Sequence, residues 1–111
     1  MQIASGATTI VVALFAISFG PEALLELQRL RKADQKRVVD EVEKQLSNEP
    51  TKPTRHRKRL VGISPPWDQV RPVWQLRVGD FRVFYDVDQD EQAVIIRGVR
   101  KKGRKTTEDI L

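Results

Sequence analysis

The stretch Trp74-Gln75-Leu76-Arg77-Val78-Gly79-Asp80-Phe81-Arg82-Val83-Phe84-Tyr85-Asp86-Val87 constrains the fold more than any other part of the chain. Apolar and polar residues alternate on both sides of Gly79-Asp80, and a period of two marks a half-buried strand. A Gly-X pair suits the two-residue type II′ loop of a β-hairpin. That loop sets the register: Val78 opposite Phe81, Arg77 opposite Arg82, Leu76 opposite Val83, Gln75 opposite Phe84 and Trp74 opposite Tyr85. A slip of one residue would turn every side chain to the other face. In this register the faces agree. Trp74, Leu76, Val78, Phe81, Val83 and Tyr85 share a core face, while Gln75, Arg77, Arg82, Phe84 and Asp86 share an open one.

The remaining elements follow from punctuation and period. A strand over Leu14–Phe19 stops at Gly20-Pro21, and Pro suits a first helical turn. A helix over Pro21–Arg31 turns Ala23, Leu24, Leu27 and Leu30 inward. Asp34 reads as the N-cap of a second helix, with Val38, Val39, Val42 and Leu46 at helical spacing and Asn48-Glu49-Pro50 as its end. The two helices form a hairpin. Residues 49–57 read as a loop. Strands follow over Val73–Val78, Phe81–Val87 and Ala93–Val99, the last after the acidic turn Asp88-Gln89-Asp90-Glu91. The class is α+β: an N-terminal strand and a helix hairpin packed on a mostly antiparallel sheet of four or five strands. A length of 111 residues suits a single domain, residues 1–111. Within it, residues 1–13 read as a loose extension and 103–111 as a basic tail or short helix.

Composition removes several classes of chemistry. The chain has no cysteine and one histidine, His56, so disulfide, thiolate and His/Cys zinc chemistry are excluded. No acidic cluster suggests a metal, and no cofactor is implied. The apolar run from Ala7 to Phe19 is too short to span a bilayer. No Lys or Arg precedes Arg29, so a signal peptide would lack its basic start. A cytoplasmic protein with no membrane partner is expected.

Net charge is +5, which points to an anionic partner. Its distribution is uneven. Residues 1–54 carry seven bases and seven acids, residues 55–82 seven against two, residues 83–96 four acids and no base, and residues 97–111 six against two. Arg77 and Arg82, directly opposite each other, repel. An anion held between two guanidinium forks would relieve that repulsion; splayed, solvated side chains are the plain alternative. The run Arg55, His56, Arg57, Lys58, Arg59 reads as a second phosphate contact or as an ordinary solvated loop. Arg100, Lys101, Lys102, Arg104 and Lys105 follow the last strand. A lysine among like charges loses its proton more readily, which makes Lys102 or Lys101 a candidate acid or base; a solubilising tail is the alternative. His56 reads first as a surface loop residue and second as a catalyst. Trp67 and Trp74 are candidates for stacking on bases, although the register assigns Trp74 to the core.

Several segments resemble the RelE/ParE superfamily of toxins from type II toxin–antitoxin systems. They are Ile17-Ser18-Phe19-Gly20-Pro21-Glu22-Ala23 with Leu27 and Leu30, Leu46 with Pro50, Lys58-Arg59-Leu60, and above all the hairpin 74–87, which is similar to the family's LRVGDYRVFYDVD type of signature. The resemblance covers about residues 15–102. It implies a growth-arresting toxin neutralised by a cognate antitoxin, the pair acting on operator DNA only as a complex. RelE-like members cut mRNA on the ribosome and ParE-like members poison DNA gyrase. The resemblance places the RelE-type arginine at Arg82 and the basic residue after the last strand at Lys102, with Lys101 as neighbour and Arg77 as a further phosphate ligand. Arg55, Arg57, Lys58, Arg59, Arg100 and Arg104 would contact RNA. Two family lysines fall at Val73 and Gln75 here and the C-terminal tyrosine falls near Glu108, so these three are unmatched. The expectation is a metal-independent mRNA endoribonuclease; the alternatives are a gyrase inhibitor without nuclease activity and a non-catalytic RNA-binding module.

Overall fold

The hairpin has the expected register, from Trp74 opposite Tyr85 to Val78 opposite Phe81. Gly79 has φ +56 and Asp80 is not among the residues with positive φ; a type II′ loop needs this sign at its first central position. The structure is a computed structural model and describes residues 2–3, 8–9, 14–68 and 71–111. Strands β1 (Gln2–Ile3) and β2 (Thr8–Thr9) pair only with each other. The rest of the loose extension proposed for residues 1–13 lies outside the described residues, apart from these two pairs.

The main sheet has five strands in the order β3 (Ala16–Phe19), β7 (Ala93–Lys101), β6 (Phe81–Asp88), β5 (Trp74–Val78), β4 (Arg57–Arg59). Only β3 with β7 is parallel. The first strand therefore lies beside the last, and the helices α1 (Pro21–Gln28) and α2 (Lys32–Leu46) cross one face between them. Their buried Ala23, Leu27, Val38, Val42 and Leu46 meet Trp74, Leu76, Val78, Phe81, Val83 and Tyr85 in one core. These are the residues that the hairpin register turned toward the core.

Several boundaries differ from the sequence expectation. The first strand begins at Ala16 rather than Leu14, because the Phe15 N–H donates to the Ser47 carbonyl at 2.7 Å and leaves the ladder. Helix α1 ends at Gln28 rather than Arg31, because Arg31 turns extended (ψ 152) to begin the next helix. Asp34 is consequently not the N-cap. It sits inside the first turn, three residues after the cap, and accepts from Arg31 Nε at 3.3 Å, where an acid still complements the helix dipole. Residues 57–59, read as part of a loop and basic run, form the edge strand β4, with Leu60 donating to the Val73 carbonyl. Leu24, expected inward, is 42 % exposed, since the short α1 buries Ala23 and Leu27 and sets Leu24 to the side.

The largest correction concerns the second face of the sheet. It is not open throughout: Gln75, Phe84 and Asp86 are buried. A short helix, α3 (Thr107–Ile110), folds back over it. Val73, Phe84 and Ile110 form a second apolar cluster that Leu60, Trp67 and Leu111 flank. Trp67 lies against Phe84, with ring centroids 6.5 Å apart, whereas Trp74 stacks on Tyr85 in the main core. Trp74 is buried and offers no platform for a base, whereas Trp67 remains partly exposed. Asp86 accepts from Arg97 Nε at 2.9 Å, and Asp88 from Arg71 Nη2 at 2.8 Å.

Tyr85 ties the two layers together. Its ring is buried, and its hydroxyl donates to the Pro50 carbonyl at 2.6 Å just beyond α2. Burial pushes the phenol above its ordinary value of 10, against the opposing pull of the Arg57 charge. A raised folded value means that the unfolded chain ionises first, so stability held below pH 10 is lost as pH rises further. Tyr85→Phe should cost about 0.5–1.5 kcal/mol at neutral pH by removing one hydrogen bond. Urea titrations at rising pH should show that deficit shrink above pH 10, because the variant has no phenol to ionise.

Candidate functional site

The part of the second face that α3 leaves uncovered is a basic groove of about 420 Å³. Three segments wall it. The edge strand and the loop before it supply Arg55, His56 and Lys58; the hairpin supplies Gln75, Arg77 and Arg82; the C-terminal segment supplies Lys102, Thr106 and Thr107. The hairpin turn organises this wall. Asp80 accepts the Lys102 N–H on its carbonyl at 2.8 Å and the Gly103 N–H on Oδ1 at 3.2 Å. The Gly79-Asp80 loop thus sets the register of the two arginines and also brings Lys102 beside them.

Arg77 and Arg82 do stand opposite each other. Arg82 Nη1 donates to the carbonyls of Gly79 and Phe81, each at 2.9 Å, which holds the guanidinium over the turn. Partial burial lowers the proton affinity of Arg82, the like charge of Arg77 lowers it further, and Asp80 partly compensates. Among the described residues no carboxylate lies within salt-bridge distance of Arg55, Lys58, Arg77, Arg82 or Lys102. Two of the four acids of the neighbouring block are already engaged: Asp86 and Asp88 hold Arg71 and Arg97. Positive charge is left uncompensated at the groove, which is the electrostatic requirement for an anion site.

The other candidates separate clearly. Lys101 pairs with Phe81, so it is one residue out of phase with Arg100 and Arg82 and does not line the groove, whereas Lys102 does. Arg57 is buried: its Nη1 donates to the Glu49 carbonyl at 2.7 Å and also to the Gln45 carbonyl. It closes the C-terminal end of α2, so its Nη1 is engaged by carbonyls although the residue also lies in the groove wall. Arg100 lies in register with Arg82 but is drawn away from the groove. It pairs with Glu26 and donates to the Ile110 and Leu111 carbonyls, at 2.7 and 3.2 Å. It anchors the C-terminus, which corrects its assignment as an RNA contact. Arg59 and Arg104 are exposed outside the groove. Among the described residues no three His, Asp or Glu side chains gather as metal ligands would.

Sequence reasoning missed Gln75, Thr106 and Thr107 as groove residues. Thr107 Oγ1 donates to Gln75 Oε1 at 3.1 Å. The missed signal was Thr106-Thr107-Glu108-Asp109, a capping box: Thr106 Oγ1 accepts from the Asp109 N–H and Asp109 Oδ2 from the Thr106 N–H, both at 3.2 Å. Thr106→Ala should destabilise α3 by about 1 kcal/mol. Hydrogen exchange should then show faster opening at residues 107–111 while the central strands stay protected.

Three comparisons bear on this arrangement. The model of the ParE toxin of the type II toxin–antitoxin system parDE matches residues 17–106. The RelBE2 toxin–antitoxin complex from Mycobacterium tuberculosis contains a similar chain: TM-score 0.64, 24 % identity, covering 80 % of this chain and 92 % of that one. The archaeal RelE–RelB complex from Pyrococcus horikoshii is similar at TM-score 0.62 and 23 % identity, over 81 % of this chain and 97 % of its own. No significant match to a curated protein was found.

Proposed function

The chain belongs to the ParE toxin family of type II toxin–antitoxin systems, and from that premise we propose that it arrests growth by cutting mRNA on translating ribosomes without a metal ion. The observation that supports this reading is the convergence of Arg77, Arg82 and Lys102 on one groove with no carboxylate among the described residues within salt-bridge distance of them. In the reaction the ribose 2′-oxygen attacks the adjacent phosphorus as its proton leaves to a base. The bond from phosphorus to the 5′-oxygen breaks, and that oxygen takes up a proton. The products are a 2′,3′-cyclic phosphate and a 5′-hydroxyl. Arg82 and Arg77 carry the charge that grows on the phosphate oxygens, where preplaced donors are most effective. Lys102 is the proton carrier of the sequence reading. His56 lines the same groove, and an imidazole there is a second side chain able to pass a proton. The ribosome supplies much of the positioning, which accommodates the three unmatched family positions.

A cognate antitoxin is the proposed protein partner, as both similar structures are toxin–antitoxin complexes. An acidic antitoxin segment over the groove would neutralise the unpaired cations and exclude RNA together.

The test is a short pulse of expression in a bacterial host with mRNA 5′ ends mapped. Codon-phased cuts within translated frames are expected. Growth arrest with intact mRNA would reject the nuclease. That outcome would favour gyrase inhibition, a reading that one observation supports directly: the matching family model is that of ParE.

A further inference from the structure

A second basic groove, of about 470 Å³, adjoins the first on the side of helix α2. Arg37, Lys44, Arg55, His56 and Arg77 line it, with Glu41 as the acidic residue in its wall. Arg55, His56 and Arg77 line both grooves, so the two share a wall. Arg37 lies over the hairpin turn at Gly79. A Cβ at that position would lie 2.5–2.8 Å from the Arg37 guanidinium. The guanidinium therefore rests on the hairpin turn, two strand residues and about 7 Å beyond Arg77. Among the described residues neither Arg37 nor Lys44 has a carboxylate within salt-bridge distance.

We propose that this second groove is a separate phosphate subsite, in which Arg37 and Lys44 hold the RNA backbone one or more nucleotides away from the phosphate at Arg82, with Arg77 shared between the two. The proposal rests on the RNA reading given above and adds a track to it. The walls favour a nucleic-acid backbone over an acidic protein segment. Apart from charged and amide side chains and the His56 imidazole the groove presents only Val78 and Gly79, whereas protein interfaces centre on aromatic or aliphatic anchors in pockets. A phosphate backbone needs cations alone.

The subsite makes RNA length matter. Anisotropy titrations of the full chain with single-stranded RNAs of three and ten nucleotides, over a series of salt concentrations, read it out. Each phosphate contact contributes about 0.7 to the slope of log K against log salt for single strands. The double variant Arg37→Ala/Lys44→Ala should therefore lower the ten-nucleotide slope by about 1.4 and leave the three-nucleotide slope unchanged. Glu41→Gln should tighten the longer RNA only. Both basic side chains are exposed on α2, so unchanged melting of the variants is expected and serves as the folding control. A ten-nucleotide slope that depends on Arg82 but not on Arg37 and Lys44 would overturn the subsite and leave the RNA reading standing. Equal losses at both lengths would place the two residues in the first groove and also overturn it. Failure of the unmodified chain to bind either RNA in an Arg82-dependent way would overturn the subsite, while the nuclease reading stands or falls separately on the mapped mRNA 5′ ends. Loss of polyglutamate binding with RNA binding intact would give the groove to an acidic protein and reject the proposal.

Discussion

Arg82→Ala is expected to lower cleavage of mRNA on translating ribosomes by about 10²–10³-fold, the usual cost of removing one preplaced donor from a transition-state oxyanion. The fold should survive the change. Arg82 is partly exposed, and its bonds to Gly79 and Phe81 are to carbonyls at a solvent-facing turn. Truncation also ends its repulsion with Arg77, worth about 0.2–1 kcal/mol, so the variant should melt no lower than the unmodified chain. Loss of function together with unchanged or raised stability is the signature of charge placed for a ligand and not for folding. Arg82→Lys should recover little, because a lysine offers a point charge where the site uses a planar fork. Cleavage unchanged in Arg82→Ala at equal protein level would remove Arg82 from the chemistry and reject the proposed mechanism.

The hairpin was legible because three constraints coincide there. The Gly79-Asp80 loop admits one register, period-two alternation admits one assignment of faces, and the opposed arginines follow from both. The helix hairpin was legible from apolar spacing. The second face was not, because its cover comes from residues 106–111, whose apolar content is two residues, Ile110 and Leu111. Only the capping box at Thr106 and Asp109 announces that the tail turns back. Strand β4 was hidden for a different reason: Arg57-Lys58-Arg59 shows no apolar alternation, because the buried position is held by the arginine itself. Charge counting located the basic blocks correctly but could not separate free cations from engaged ones. Arg71, Arg97 and Arg100 are taken by acids distant in sequence and Arg57 by carbonyls, whereas Arg55, Lys58, Arg77, Arg82 and Lys102 line the groove without an ion-pair partner among the described residues.

Arg57→Ala should therefore behave in the opposite way to Arg82→Ala. The guanidinium of Arg57 lies at the C-terminal end of α2 and donates to the carbonyls of Gln45 and Glu49. Carbonyls in the last turn of a helix lack intrahelical partners, and a cation there also meets the negative end of the helix dipole. Removing it leaves the Gln45 carbonyl without this donor, while the Glu49 carbonyl keeps the Lys52 N–H at 3.2 Å, and opens space beside Leu76, its cross-strand partner. The expected cost is about 2–3 kcal/mol, combining charge-assisted hydrogen bonds with a partly buried dipole contact. Part of the gross gain is offset because Arg57 Nε is buried without a partner, which argues against a larger figure. Arg57→Lys keeps the charge but loses the fork, and should recover less than half. Equilibrium urea unfolding measures the loss, and RNA affinity measured well below the unfolding transition should stay within twofold of the unmodified chain. A variant of undiminished stability that loses RNA affinity as Arg82→Ala does would return Arg57 to the nucleic-acid interface. A destabilised variant with intact affinity would establish that one basic run, Arg55 to Arg59, serves two ends: Arg57 inward to close a helix, and Arg55 and Lys58 outward to the groove.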